Sequence, residues 1–245
     1  MPSTGQGDFG YLGRAIHGAD IMRGVLTTRV FPPPRPGPLP SPVVELWLIR
    51  HALPLRIDGG DAPADPGLAL EGSEQADLLA SWWAPFGADH VYASPMRRAQ
   101  ETAAPIAAAL KAKVTTVEGL KEFDAHLSTY IPIEELRADE VAWKAAVDAW
   151  VSPEAETERQ GFRSNVVEAI DAIAADHGGQ RVAVVCHGGV INAYLSHVLA
   201  MPATIFFEPA YTSVSRVVHN GSNRQLVSVN ETPHLGRPAV PSTAR

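Results

Sequence analysis

Cysteine is nearly absent: Cys186 is the only one in 245 residues. No internal disulfide can form, and a reducing compartment, the cytoplasm, is the expected setting. Basic residues are also in short supply, 20 Lys and Arg against 27 Asp and Glu, for a net charge of −7. That balance excludes a broad basic surface for nucleic acid. An anionic ligand would have to be held by local positive charge against a mildly repulsive overall field. No apolar run approaches the roughly 18 residues that a helical membrane span requires, so no membrane partner is expected. Several catalytic signatures are missing as well. There is no Gly-x-Ser-x-Gly elbow and no phosphate-binding Gly-rich loop ending in Lys-Ser/Thr. The nine histidines show no His-Glu-x-x-His spacing, so neither a metal nor another cofactor is expected. Cys186 has Asn192 six positions on, where a cysteine-based phosphatase loop would need arginine. It reads as a small buried hydrophobe.

Proline is abundant in one place. Residues 31–42 hold seven prolines, the pattern of a semi-rigid spacer. The stretch before it lacks the apolar core and small-residue cleavage site of a secretory signal. Residues 1–42 are therefore expected to be a disordered extension, with Met22 a second candidate start. Residues 43–235 are expected to form one domain, and 236–245 an unstructured tail.

Within 43–235, short apolar runs alternate with amphipathic stretches. Strands are expected at 43–49, 90–93, 114–117 and 181–186, the first and last as buried runs. Helices are expected at 71–86, with Ala76, Leu79, Ala80 and Trp83 on one face, at 95–110, at 154–177 and at 190–199. Ser94 is read as the N-cap of the second helix, with Pro95 at its first position. A helical excursion is expected over 132–150, anchored by Trp143 and Trp150. The runs 213–218 and 225–229 resemble a strand pair turned at Asn220-Gly221. Strands alternating with helices imply an α/β three-layer sandwich, a largely parallel sheet with helices on both faces.

Three separated segments then fit one chemical task. Arg50-His51 closes one buried strand, Cys186-His187-Gly188-Gly189 closes another, and Ser94-Pro95-Met96-Arg97-Arg98 opens a helix. Ligands of open α/β sheets bind beyond the carboxyl ends of the strands, so both histidines fall at the binding edge. Gly188-Gly189 opens a helix there, placing free backbone N–H groups and a positive helix end at the same spot. Arg98 lies in the first turn of its helix, where the dipole does not favour a cation; a bound anion would resolve the conflict. Arg50 at the end of a buried strand would be costly unless paired, in a structural ion pair or with a ligand. Arg97, about 100° round the helix from Arg98, reads as a surface residue. Two histidines and two arginines around one point make a cationic pocket containing a nucleophile, as phosphoryl transfer through phosphohistidine requires. A carboxylic acid must also protonate the leaving oxygen and then activate water. Glu122 is the first candidate, with Glu118 and Asp124 as competitors.

These residues resemble the histidine phosphatase superfamily, which includes the cofactor-dependent phosphoglycerate mutases. Arg50-His51-Ala52 is similar to the family's Arg-His-Gly signature, 94–103 to its second block, 185–189 to its second-histidine block and 230–235 to an ending of many phosphatase branches. The resemblance covers 43–235. It implies a phosphoglycerate mutase-like fold and His51 as the nucleophile. It implies that Arg50, Arg98, His187 and Gly188 hold the phosphoryl group, with His187 also catalytic, and that Glu122 is the proton donor. Three positions depart from the pattern. Ala52 replaces the glycine after the nucleophile and would crowd the pocket floor. His126 replaces a glycine four residues past the acid. Ile57 stands where the mutase pattern has asparagine.

The expectation is a metal-independent phosphatase acting on a small phosphorylated metabolite or a phosphoprotein. The alternatives are a phosphoglycerate-type mutase and a non-catalytic phospholigand-binding protein. Specificity is expected in loop 53–68 and in 123–150, where Arg56, His126 and Tyr130 could read a leaving group. Phe206-Phe207 reads either as an interface patch or as core.

Overall fold

The computed structural model describes residues 37–152, 154–201 and 205–236, the side chains of Glu134 and Val151 excepted. Most of the expected proline-rich extension, 1–36, and nearly all of the expected tail, 237–245, lie outside the described residues. Residues 37–42 lie against the folded part: the carbonyl of Gly37 accepts from Arg181 Nη2 at 2.6 Å and that of Pro40 from Val43 N at 2.8 Å.

Six strands form one sheet, in the order β3-β2-β4-β1-β5-β6. β1 is Val44–Arg50, β2 His90–Ala93, β3 Val114–Thr116, β4 Arg181–Cys186, β5 Val214–Asn220 and β6 Asn223–Glu231. The four strands from β3 to β1 run parallel; β5 and β6 are antiparallel to their neighbours. The closing hairpin turns at Gly221, whose φ of 62° needs a residue without a Cβ penalty.

Period-2 alternation along the central strands explains the three layers. Leu46 and Leu48 of β1, with Val182, Val184 and Cys186 of β4, enter a core completed by α5 (Glu156–Ala175) and α6 (Gly188–Val198). Trp47 and Ile49, with Ala183 and Val185, enter a second core on the opposite face, closed by α1 (Leu70–Trp83) and α2 (Arg97–Leu110). The buried stripe of α1 includes Ala76, Leu79, Ala80 and Trp83, and that of α5 includes Val166, Ile170 and Ile173. The excursion is two helices, α3 (Ile133–Ala138) and α4 (Glu140–Val151). Trp150 anchors it by meeting Phe123 edge-on, ring centroids 4.6 Å apart, while Trp143 lies under Arg137. Phe206 and Phe207 are partly buried against the α5–α6 core.

One expectation is corrected. Ser94 does not cap α2; the helix starts at Arg97, with Met96 at the cap position and no side-chain cap bond. The Ser94 hydroxyl accepts from Met96 N at 3.3 Å, ahead of the helix, and also bonds His187 Nε2 at 2.8 Å across the sheet.

Candidate active site

The strand order brings the three segments together. β4 sits between β2 and β1, pairing Arg50 with Cys186 and Ala93 with Val185. The chains leave the sheet at one level: His51 N donates to the Cys186 carbonyl at 2.9 Å, and Ser94 N to that of Val185 at 3.0 Å. His51, Ser94 and His187 are thus the first residues past three adjacent parallel strands.

The His51 and His187 rings lie 5.1 Å apart. His51 is 2 % exposed and its Nδ1 donates to the Ala52 carbonyl at 2.8 Å. That bond fixes the tautomer and leaves the lone pair on Nε2, which faces Arg98 Nε at 3.3 Å. Burial above all, then the charges of Arg98 and Arg50, holds the His51 pKa well below the usual histidine value. The imidazole is therefore neutral at neutral pH, with the Nε2 lone pair unprotonated. The same burial and the charge of Arg98 depress His187. His187 Nε2 and Ser94 Oγ are hydrogen-bonded at 2.8 Å; with the hydroxyl donating, the ring proton of neutral His187 sits on Nδ1.

Arg98 is 1 % exposed, and its backbone carbonyl is tied to Thr102 Oγ1 at 2.7 Å; that hydroxyl in turn receives Ala52 N at 2.9 Å. Ala52 is thereby held, fully buried, between the nucleophile and α2. Arg50 donates through Nη1 to the Pro209 carbonyl at 2.5 Å. Neither arginine makes an ion pair among the described residues, so the structural ion pair considered for Arg50 is not formed there. Arg50 Nε, Arg98 Nη1 and His187 Nδ1 are all buried without a hydrogen-bond partner in the described structure. These three orphaned polar atoms carry a desolvation cost that a bound oxyanion would offset.

Glu122 reaches the first turn of α6: its Oε2 accepts from Gly189 N at 2.8 Å and its Oε1 from Phe123 N at 2.9 Å. The Gly189 N–H, expected to be free for a ligand, is thus occupied by this carboxyl. A Cβ at position 189 would meet the Glu122 carboxyl, which would have to move aside. Burial and then the neighbouring Asp124 raise the Glu122 pKa; the two N–H bonds and Arg98 only partly offset this. Asp124 is raised too, by burial. Glu118, the other competitor, is on the surface in an ion pair with Lys121. Gly188 packs beside Arg50 Nε and Pro209.

Other singled-out residues lie further out. Arg97 is exposed and paired with Glu101 at 2.6 Å, as its helical position predicts. Arg56 is exposed and paired with Asp58 and Glu135. Cys186 is fully buried, which pushes its thiol pKa up, and it carries no reactivity. His126 is on the rim of a cavity that it shares with Phe123, Glu158 and Phe162. Tyr130 stands inside the site, its ring 4.6 Å from Arg98 Cζ. Sequence reasoning missed Ser94 as a partner of His187, Thr102 as a brace and Tyr211, whose ring centre is 3.9 Å from Arg50 Cζ. A small hydroxyl directly after β2 was a usable signal for Ser94; nothing in its surroundings marked Tyr211.

The family model of the histidine phosphatase superfamily (branch 1) matches residues 46–232. A curated relative from Yersinia enterocolitica, named probable phosphoglycerate mutase GpmB, is 27% identical over 219 residues, covering 83% of this chain and all of its own. Among solved structures, a mutant phosphoserine phosphatase from Entamoeba histolytica in complex with phosphoserine superposes with a TM-score of 0.62 at 25% identity. That match covers 78% of this chain and 99% of the other. Phosphoglycerate mutase from Bacillus anthracis shares the fold, with a TM-score of 0.60 at 23% identity over 80% of this chain and 96% of its own.

Proposed function

The chain belongs to the histidine phosphatase superfamily, branch 1, and on that premise we propose that it hydrolyses a small phosphomonoester, without a metal, through a phosphohistidine on His51. The observation that carries this reading is the set of three buried, unpartnered atoms, Arg50 Nε, Arg98 Nη1 and His187 Nδ1, around a nucleophile whose Nε2 lone pair is fixed by the Ala52 bond. His51 Nε2 attacks phosphorus; the N–P bond forms as the P–O ester bond breaks. The leaving oxygen takes its proton from Glu122, whose raised pKa keeps it protonated further into the working range than an ordinary carboxylate. The Glu122 carboxylate then accepts a proton from water as that water attacks phosphorus. The N–P bond breaks, orthophosphate leaves, and His51 is neutral again. Arg50, Arg98, His187 and the start of α6 at Gly188 hold the phosphoryl oxygens throughout. Each such donor is worth on the order of 10²–10³ in rate.

The proposed catalytic unit is 43–235, and the buried, reduced Cys186 accords with a cytoplasmic setting. The names of the similar proteins include both phosphatases and mutases. Ile57, where mutases have asparagine, favours hydrolysis. Its backbone forms a bridge with Tyr130 and its side chain offers no hydrogen bond to a second phosphoryl acceptor. His51→Ala is expected to abolish vanadate-sensitive hydrolysis of an aryl phosphate; unchanged activity would sink the proposal. Isomerisation of 3-phosphoglycerate stimulated by the bisphosphate, without net phosphate release, would replace it with the mutase reading. Binding of phosphate analogues with no turnover on a broad phosphoester panel would replace it with the non-catalytic one.

A further inference from the structure

Buried arginines in folded proteins are usually compensated by carboxylates, which take up N–H donors in forked hydrogen bonds. Arg50 and Arg98 have no such partner among the described residues. Each lies face-on to a tyrosine instead: Arg50 Cζ is 3.9 Å from the centre of the Tyr211 ring, and Arg98 Cζ 4.6 Å from that of Tyr130. Both tyrosines are nearly buried, and the Tyr211 ring is 5.7 Å from that of His51.

A ring stacked on a guanidinium stabilises the charge through its π face and leaves the donors in the guanidinium plane unused. It also fixes that plane. Within those planes Arg98 Nε donates to His51 Nε2 and Arg50 Nη1 to the Pro209 carbonyl, while Arg50 Nε and Arg98 Nη1 are unpartnered. A carboxylate in either place would cancel positive charge and consume the donors that an oxyanion needs.

The backbone holds each ring firmly. Tyr130 and Ile57 exchange two backbone hydrogen bonds of 2.9 Å, tying the acid-bearing loop to the loop that follows the nucleophile. Tyr211 is at the tip of a turn closed by Ser213 N to the Ala210 carbonyl, and Thr212 N bonds the carbonyl of Arg50 itself. The second tyrosine is thus registered to the arginine over which it lies. The pair reaches the site from two loops far apart in sequence.

We propose that Tyr130 and Tyr211 are a pair of positioning residues, setting the planes of Arg98 and Arg50 so that their free N–H edges converge on the phosphoryl group. This rests on the reading of the pocket as a phosphoryl site. The test uses the full chain with Tyr130→Leu and Tyr211→Leu, which remove the rings, and Tyr130→Phe and Tyr211→Phe, which keep them. Affinities for inorganic phosphate and vanadate are measured by calorimetry, kcat/KM with an aryl phosphate, and folding by thermal melting. Each Leu variant is expected to bind both anions on the order of tenfold more weakly and to lose a similar factor in kcat/KM, while each Phe variant stays within about threefold of wild type. Cooperatively melting Leu variants with wild-type vanadate affinity would overturn the proposal, as would Phe variants that fall as far as the Leu ones. Anion binding separates this inference from the catalytic one. A wild-type protein that binds both anions, weakens in the Leu variants and hydrolyses nothing leaves the tyrosine pair standing and removes the phosphatase reading.

Discussion

In the proposed mechanism, environment divides two roles between two ordinary side chains, His51 and Glu122. Burial beside two arginines keeps the imidazole unprotonated to well below its usual value near 6.5, so the acid limb of the pH–rate profile is expected well below that pH. Burial next to Asp124 pushes Glu122 above the usual carboxyl value, so kcat/KM is expected to fall on the alkaline side as its proton is lost. Glu122→Gln should lower kcat/KM for an alkyl phosphate by about 10²–10⁴ and remove that alkaline limb. A Gln variant that keeps the limb would transfer the acid role to Asp124. Sequence spacing put three acids in this stretch. The folded chain sets Glu118 apart, paired with Lys121 at the surface, and buries Glu122 and Asp124 together, with Glu122 bonded to Gly189.

At the scale of elements, the site depends on where α6 meets the loop that carries the acid. Phe123 is wedged between Trp150 of α4 and Phe162 of α5, and this wedge delivers Glu122 to the α6 N-terminus. Gly189→Ala should displace the carboxyl while leaving His51 and both arginines in place, because the new methyl group and Glu122 Oε1 compete for the same space. The expected result is a loss of about 10²-fold in kcat for alkyl phosphates, and a much smaller one for aryl phosphates, whose leaving oxygen needs little protonation. Equal losses on both substrates would mean that the helix start serves the phosphoryl group and not the acid. The Ser94 correction belongs to this scale too. A serine before a helix signals a cap locally, and only the placement of β4 beside β2 gave its hydroxyl a closer partner in His187.

For the molecule as a whole, catalytic preparation carries a pH-dependent cost. His51 and His187 are buried without a compensating carboxylate, and burial takes His234 down to about 4. A histidine whose pKa is depressed on folding contributes stability that is complete above the unfolded value of about 6.5 and is lost as pH falls through the folded value. The melting temperature is therefore expected to drop between pH about 6.5 and 4. His234→Asn should make that drop shallower, because it removes the imidazole buried against Trp82 and Thr212. Melting temperature measured against pH for both proteins checks this; parallel curves would assign the acid sensitivity elsewhere. Glu122 and Asp124, with raised values, act in the opposite sense and are common to both proteins.

By itself the sequence determined the elements, the layering and the identities of most of the charged groups. Period-2 and period-3.6 patterns, strand-terminal histidines and a first-turn arginine are local signals, written in residues a few positions apart. Tertiary structure decided the strand order that sets β4 between β2 and β1, the burial of Glu122 against Gly189, the partner of Ser94, and the arrival of Tyr211 over Arg50. Each of these joins residues tens of positions apart, and only chain reversal and side-chain packing bring such groups within a few ångströms. Tyr211 shows the division most clearly. Nothing near it in the chain distinguishes it from an ordinary turn residue, and its place in the site comes from a backbone bond between Thr212 and Arg50, more than 150 positions earlier.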